Sequence, residues 1–131
     1  MPTDNYLIDT TILVDVLRNN SQAITWVNSI LLQERCVSVV TYFELLAGCR
    51  NRREQRLVAR EMRQYHLLML TEAISSTALS WFTRFHFSHG VGLLDVLIGA
   101  TALHQGTTVA TLNMKHFTPL PGVRVERPYR H

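Results

Sequence analysis

Apolar and polar positions along the chain alternate between short continuous runs and stretches with helical spacing. Tyr6–Ile8 is a brief apolar run that leads through Asp9-Thr10-Thr11 into Ile12–Leu17, whose residues suit a helix. Ser21 can cap a second helix, with Ile24, Val27 and Leu31 on one face. Cys36–Val40 is β-branched and bounded by charge, which predicts a strand. Thr41 follows, and Tyr42–Cys49 predicts a helix. Arg52–Tyr65 is helical too, with Leu57, Val58, Met62 and Tyr65 as its apolar positions, and Leu67–Leu70 suits a short strand. Thr71 then caps a helix whose face carries Ile74, Ala78, Trp81, Phe82 and Phe85, a stripe that reads as core. Gly90-Val91-Gly92 is a turn, Asp95–Gln105 is strongly helical, and Gly106 fits the position that ends that helix. Thr107–Thr111 predicts a strand, and Val123–Glu126 predicts a last one after the turn Pro119–Gly122.

Strands that alternate with helices predict an α/β fold with a mostly parallel central sheet covered on both faces. The chain has 131 residues, 47% hydrophobic and 18% charged, which supports a single globular domain over residues 1–131 with a core of its own. No internal repeat, low-complexity tract or linker divides it. No apolar run reaches the length of a membrane span, and Met1-Pro2-Thr3-Asp4 does not begin a secretory signal. Cys36 and Cys49 form neither a disulfide framework nor a metal-ligand spacing, so they read as free, buried thiols of a cytoplasmic protein.

A formal charge of +3 and a pI of about 9.2 permit a polyanionic partner without demanding one. The distribution says more. Arg50, Arg52, Arg53, Arg56, Arg60 and Arg63 crowd one segment, and Arg124, Arg127 and Arg130 crowd the C-terminus. The first segment reads equally as a solvated helix face paired in part with Glu54 and Glu61, or as a phosphate-contacting surface.

The acids matter by position. Asp9 follows the first strand, and Glu44 falls in the first turn of the helix after the second main strand. Asn113 follows the strand Thr107–Thr111, and Asp95 opens the helix before it. Ligands of open α/β sheets bind beyond the carboxyl ends of the strands, so a parallel sheet gathers Asp9, Glu44 and Asn113 at one edge, and Asp95 joins from its helix N-terminus. Each also has a local role available: Asp9 and Asp95 as helix caps, Thr41 with Glu44 as a capping box, and Asn113 as a turn residue. Their conjunction at one edge favours a shared site. Like charges held together raise one another's pKa, and a divalent cation relieves them. Mg²⁺ takes oxygen ligands, polarises phosphoryl oxygens and activates water, which is what phosphodiester hydrolysis requires. Other hydrolytic schemes lack their platforms. There is no G-x-S-x-G elbow, the six histidines form no H-E-x-x-H pattern, and no second acid stands two residues after Asp9. His116, close to Asn113, reads as a surface imidazole.

Four stretches resemble PIN-domain ribonucleases of the VapC toxin type. They are Leu7-Ile8-Asp9-Thr10-Thr11, the run from Ser38 to Gly48 around Glu44, the run from Leu94 to Ala102 around Asp95, and the run from Ala110 to Phe117 around Asn113. The resemblance spans nearly the whole chain. It implies a PIN-like three-layer α/β/α sandwich and a metal-dependent endoribonuclease toxin that leaves 5′-phosphate and 3′-hydroxyl ends. It implies Mg²⁺ or Mn²⁺ on Asp9, Glu44 and Asp95, with Asn113 as a fourth catalytic position and with Thr10 and Thr111 supporting the acids by hydrogen bonds. The implied partners are an RNA substrate, a second copy in a homodimer, and a VapB-like antitoxin that sends a basic side chain into the acidic site. Lys115 or the Arg50–Arg63 segment would steer the RNA backbone. Asn113 carries one charge fewer than an Asp, and Leu112 stands where an Arg is usual. A catalytically weak RNA-binding module and a Mg-dependent phosphatase on a similar sheet remain as alternatives.

Overall fold

The structure is a computed structural model that describes residues 5–130. The start of the chain, on which the reading of no secretory signal rests, and His131 lie outside the described residues. Eleven main elements follow one another: β1 (Tyr6–Ile8), α1 (Thr10–Leu17), α2 (Ser21–Ser29), β2 (Arg35–Ser38), α3 (Val39–Ala47), α4 (Arg52–Met62), β3 (His66–Leu68), α5 (Glu72–His89), α6 (Leu93–Gln105), β4 (Thr108–Ala110) and β5 (Arg124–Glu126). Short 3₁₀ turns occupy Leu32–Glu34 and Met114–His116.

The five strands form one sheet in the order β3-β2-β1-β4-β5, and every neighbouring pair is parallel. Side chains of a strand alternate between faces. Leu7, Cys36 and Val109 therefore point to the face covered by α5 and α6, where they meet Ile74, Trp81, Phe85, Val96 and Ile98. Ile8, Val37 and Ala110 point to the opposite face, among Ile12, Leu13, Val27, Leu45, Val58 and Met62 of α1 to α4. The result is the expected three-layer α/β/α sandwich. Among the described residues no helix is long and apolar enough to cross a membrane.

The aromatic stripe of α5 is core, as its spacing predicts. The Thr71 hydroxyl accepts from the Ile74 amide at 3.1 Å and starts the helix. Ile74, Ala78, Trp81 and Phe85 are buried along it. Gly90 ends α5 and Gly106 ends α6 in left-handed conformations, φ 66° and 67°, where only glycine is unstrained.

Several boundaries differ from the sequence reading because different residues cap the helices. The strand Cys36–Val40 stops at Ser38, whose hydroxyl accepts from the Val40 amide at 3.1 Å and opens α3 at Val39. Thr41 is then inside the helix, so the Thr41–Glu44 capping box does not form. Asn20, not Ser21, caps α2 through the Ala23 amide at 3.0 Å. That helix ends at Ser29, which leaves Leu31 beyond it and exposed. Helix α6 starts at Leu93, so Asp95 lies within its first turn instead of at its cap. Helix α4 stops at Met62, which moves the next strand to His66–Leu68, and Leu57 faces solvent. Both cysteines are free thiols as expected, but Cys49 is only half-buried.

Ile74 has no exposed surface and sits where α5 meets the sheet. Ile74→Ala is expected to cost about 2–5 kcal/mol of unfolding free energy with an unchanged denaturant slope. Urea denaturation of the two proteins checks this, and a loss below about 1 kcal/mol would show that the α5 layer is not a tightly packed part of the core.

Candidate active site

The chain builds outward from β1 through β2 to β3, then returns to place β4 on the other side of β1. The point where strand order reverses lies between β1 and β4, and in α/β sheets the crevice outside that point is where ligands bind. Asp9 occupies it. Its amide donates to the Ala110 carbonyl at 2.9 Å, which continues the β1–β4 pairing by one residue. Asp9 holds the N-cap position of α1 but makes no side-chain cap. Asp9 Oδ2 accepts from the Thr111 hydroxyl at 2.7 Å and from the Thr11 hydroxyl at 3.2 Å.

Glu44 reaches the same place from α3. Its Oε1 accepts from the Thr10 hydroxyl at 2.7 Å, and that hydroxyl also contacts the buried Thr41 hydroxyl at 3.1 Å. Asp95 arrives from the first turn of α6, where its Oδ2 accepts from the Gly92 amide at 3.1 Å. His116 Nδ1 stands 3.5 Å from the same Asp95 oxygen. Asn113 is exposed, and its amide donates to the Thr111 hydroxyl at 3.0 Å. A cleft of about 530 Å³ gathers Asp9, Thr10, Glu44, Asp95, Asn113 and His116 in its lining. Thr111 is fully buried behind Asp9. Every expected site residue therefore falls in this cleft or directly behind it.

Burial is the main reason that the Asp9 carboxyl titrates above its ordinary value; the hydroxyls of Thr111 and Thr11 oppose the rise, and the charge of Asp95 adds to it. Glu44 is also raised by burial, against its bond from Thr10, with Asp9 and Asp95 both contributing repulsion. The three carboxylates thus feel one another. Among the described residues, no three or more His, Cys, Asp or Glu side chains stand close enough to form a ready-made metal cage. The donor set still fits a hard cation. It is made of carboxylate oxygens whose repulsion a cation would cancel, and Mg²⁺ keeps several waters and uses only one or two carboxylates. A loose group of acids suits that habit better than a closed cage does.

Sequence reasoning undervalued His116, which is half-buried and lines the cleft instead of the open surface. It passed over Thr11, Asp15 and Arg18, which also line it. Thr11 and Asp15 stand four residues apart on one face of α1, and Arg18, three further on, caps its C-terminus on the same side, a signal that was present.

The chain belongs to the PIN-domain family: the PIN-domain family model matches residues 6–117. Ribonuclease VapC10 of Mycobacterium tuberculosis is 36% identical over 113 residues, covering 85% of this chain and 84% of that protein. Ribonuclease VapC19 of the same species is 34% identical over 123 residues, covering 90% of this chain and 96% of that protein. The fold is shared with solved structures as well. DNA-bound VapBC from Salmonella typhimurium matches with a TM-score of 0.85 at 20% identity, over 97% of this chain and 100% of that one. A toxin–antitoxin complex from Klebsiella pneumoniae matches with a TM-score of 0.81 at 22% identity, also over 97% of this chain and 100% of that one.

A carboxyl whose pKa is higher in the folded than in the unfolded chain binds its proton more tightly when folded. Its contribution to stability is complete below the unfolded value and is lost as pH rises through the folded one. Asp9→Asn removes that loss. In metal-free buffer the variant is expected to melt above the wild type at pH 7, with the gap closing as pH falls toward the ordinary aspartate value of 3.8. Thermal unfolding across that range checks it. A gap independent of pH would mean that ionised Asp9 carries no strain.

Proposed function

We propose that this chain is a divalent-metal-dependent endoribonuclease that hydrolyses RNA phosphodiester bonds and acts as the toxin of a cytoplasmic toxin–antitoxin pair. The observation that carries this reading is the meeting of Asp9, Glu44 and Asp95, from three separate elements, in one cleft at the reversal point of the sheet. Its family membership and the ribonuclease names of its relatives support the substrate class.

Asp9, Glu44 and Asp95 would hold the cation, with Asn113 beside them as a neutral donor and acceptor. Mg²⁺ or Mn²⁺ bound there would neutralise phosphoryl oxygens and lower the pKa of water at the site. The protein's own groups set the geometry. Thr111 and Thr11 fix the Asp9 carboxylate from behind, and Thr10 fixes Glu44. The Gly92 amide donates to Asp95 Oδ2, and the His116 ring stands 3.5 Å from the same oxygen. Such supporting bonds keep acids that repel one another pointing into the same space. Asn113, exposed at the cleft, offers its amide to a phosphate oxygen. By resemblance the products carry 5′-phosphate and 3′-hydroxyl ends.

A second cavity of about 510 Å³ shares Thr10 and Glu44 with the cleft and is lined by Val14, Leu17, Leu45 and Leu57. Arg18, Arg50 and Glu54 line it too, so this groove of apolar wall and mixed charge suits a VapB-like antitoxin segment that carries apolar side chains with charged ones among them. Phe43, Phe87 and Leu93 are exposed at 67%, 96% and 58%, apolar side chains that a second copy in a homodimer could cover. The loose spacing of the acids and the neutral Asn113 favour a second reading, a PIN-like RNA-binding module of weak activity.

Antitoxin-free protein incubated with total cellular RNA and Mg²⁺ or Mn²⁺ is expected to give discrete fragments. EDTA should abolish them, and Asp95→Asn should reduce them by roughly 100-fold or more, the scale of a few kcal/mol of lost charge stabilisation. RNA binding without cleavage in any metal would select the binding module. Release of inorganic phosphate from a small phosphoester, with the RNA intact, would select a phosphatase.

A further inference from the structure

The three C-terminal arginines look alike in sequence but part company in the fold. Arg124 begins β5 in register with Thr108, at the amino end of the sheet, and its Nη2 donates to the Gly106 carbonyl at 2.9 Å. Strand β5 then runs parallel to β4 and ends at Glu126, whose carbonyl accepts from the Thr111 amide at 3.0 Å. Residues 127–130 therefore leave the sheet at the edge where Asp9 and Asn113 stand.

This short strap is tied down. The Tyr129 hydroxyl donates to Asp15 Oδ2 at 2.7 Å, and Asp15 belongs to the α1 face that lines the cleft. Burial and the Asp15 carboxylate both push the Tyr129 phenol well above its ordinary pKa, so the bond keeps its proton. Pro128 removes backbone freedom between the two arginines. Leu112, Arg127, Tyr129 and Arg130 line a shallow cavity of about 300 Å³, and Leu112 also lines the acidic cleft. Arg127 and Arg130 are exposed, and neither makes a hydrogen bond or ion pair among the described residues.

We propose that this strap is the RNA-holding rim of the cleft, where Arg127 and Arg130 grip backbone phosphates of the strand next to the bond being cut. The proposal deepens the nuclease reading and rests on it. An acidic cleft repels a polyanion, so the strand needs cationic holds just outside the carboxylates. Two unpaired guanidinium forks match phosphate oxygens in shape as well as charge. Their tether means that little ordering entropy is spent on binding. A solvated tail would need neither the Tyr129–Asp15 bond nor a wall shared with the cleft.

The test is binding of a fluorescein-labelled oligouridylate by the full chain in EDTA, which prevents cleavage, over a salt series. Arg127→Ala/Arg130→Ala is expected to bind roughly 10-fold more weakly, with the slope of log affinity against log salt reduced by about 1.4, near 0.7 for each phosphate no longer neutralised. Arg127→Lys/Arg130→Lys should keep most of the slope. Tyr129→Phe should weaken binding several-fold with both charges present. Arg124→Ala, at the other end of β5, should match the wild type, and equal melting temperatures would show that the fold is intact. If the double alanine variant matches Arg124→Ala while the wild type binds and cleaves RNA, the strap proposal falls and the nuclease reading stands. If the strap dependence appears but no metal supports cleavage, the nuclease reading falls and takes with it the strap's place beside a bond being cut, leaving an RNA-binding edge alone. No binding by the wild type in EDTA overturns the strap proposal, and cleavage of total RNA with Mg²⁺ or Mn²⁺ then decides the nuclease reading by itself.

Discussion

The hydrogen bond from Thr111 to Asp9 joins residues 102 apart in sequence and fixes the centre of the molecule. It forms only if β1 and β4 are parallel neighbours, because parallel pairing is what brings the ends of both strands to one edge. The same pairing makes β1 the middle strand, with β2 and β3 on one side and β4 and β5 on the other. Helix α3 approaches Asp9 from the first side and the Asn113 loop from the second. The position of Asp9 is thus a consequence of topology, and the rest of the site is arranged around it.

That placement sets a conflict. Asp9 is buried, Glu44 is partly buried, and both feel Asp95, so the folded chain concentrates charge where solvation is poorest. Three threonine hydroxyls and one glycine amide offset part of the cost. The apolar layers on both faces, with Leu7, Ile12, Leu13, Ile74 and Val109 fully enclosed, supply the stability that lets the conflict persist.

Most of this arrangement was legible because it follows periodicity and strand ends. The sheet, the aromatic core of α5 and the gathering of Asp9, Glu44, Asp95 and Asn113 at one edge all stand as the sequence implies. Helix starts were less legible, since several residues near each start can cap. Ser38 and Thr41 are both capable, and Ser38 takes the role. Glu44 nevertheless kept its direction. Moving the start of α3 back by three residues is nearly one full turn, so the face that carries Glu44 is unchanged. His116 was illegible for a different reason. It rides on the 3₁₀ turn Met114–His116, which has no apolar period to orient it, and its approach to Asp95 beside the buried Phe117 is a tertiary contact. The roles of the arginines were hidden as well, because charge clusters in sequence say nothing of which sheet edge each member reaches.

Charge placement resolves the tension between a cationic chain and an acidic cleft. In the arginine segment Arg50 pairs with Glu54 at 2.8 Å, while Arg52, Arg53, Arg56, Arg60 and Arg63 stand exposed along α4 and just past it. An exposed pair of that kind contributes little to stability, and six arginines against Glu54 and Glu61 leave the segment strongly cationic all the same. Other cations stand at the cleft and at the cavity that adjoins it through Leu112. Arg18 stands on the cleft face of α1, and the tethered arginines stand past β5. Long-range attraction follows the net charge of the whole molecule, but over a Debye length of about 8 Å the local arrangement decides where a strand settles. A polyanion drawn to this surface would therefore rest on the rim, and its scissile phosphate would enter the cleft only with a cation to meet it. Substrate entry and metal occupancy would then be coupled by electrostatics alone, with no moving part required.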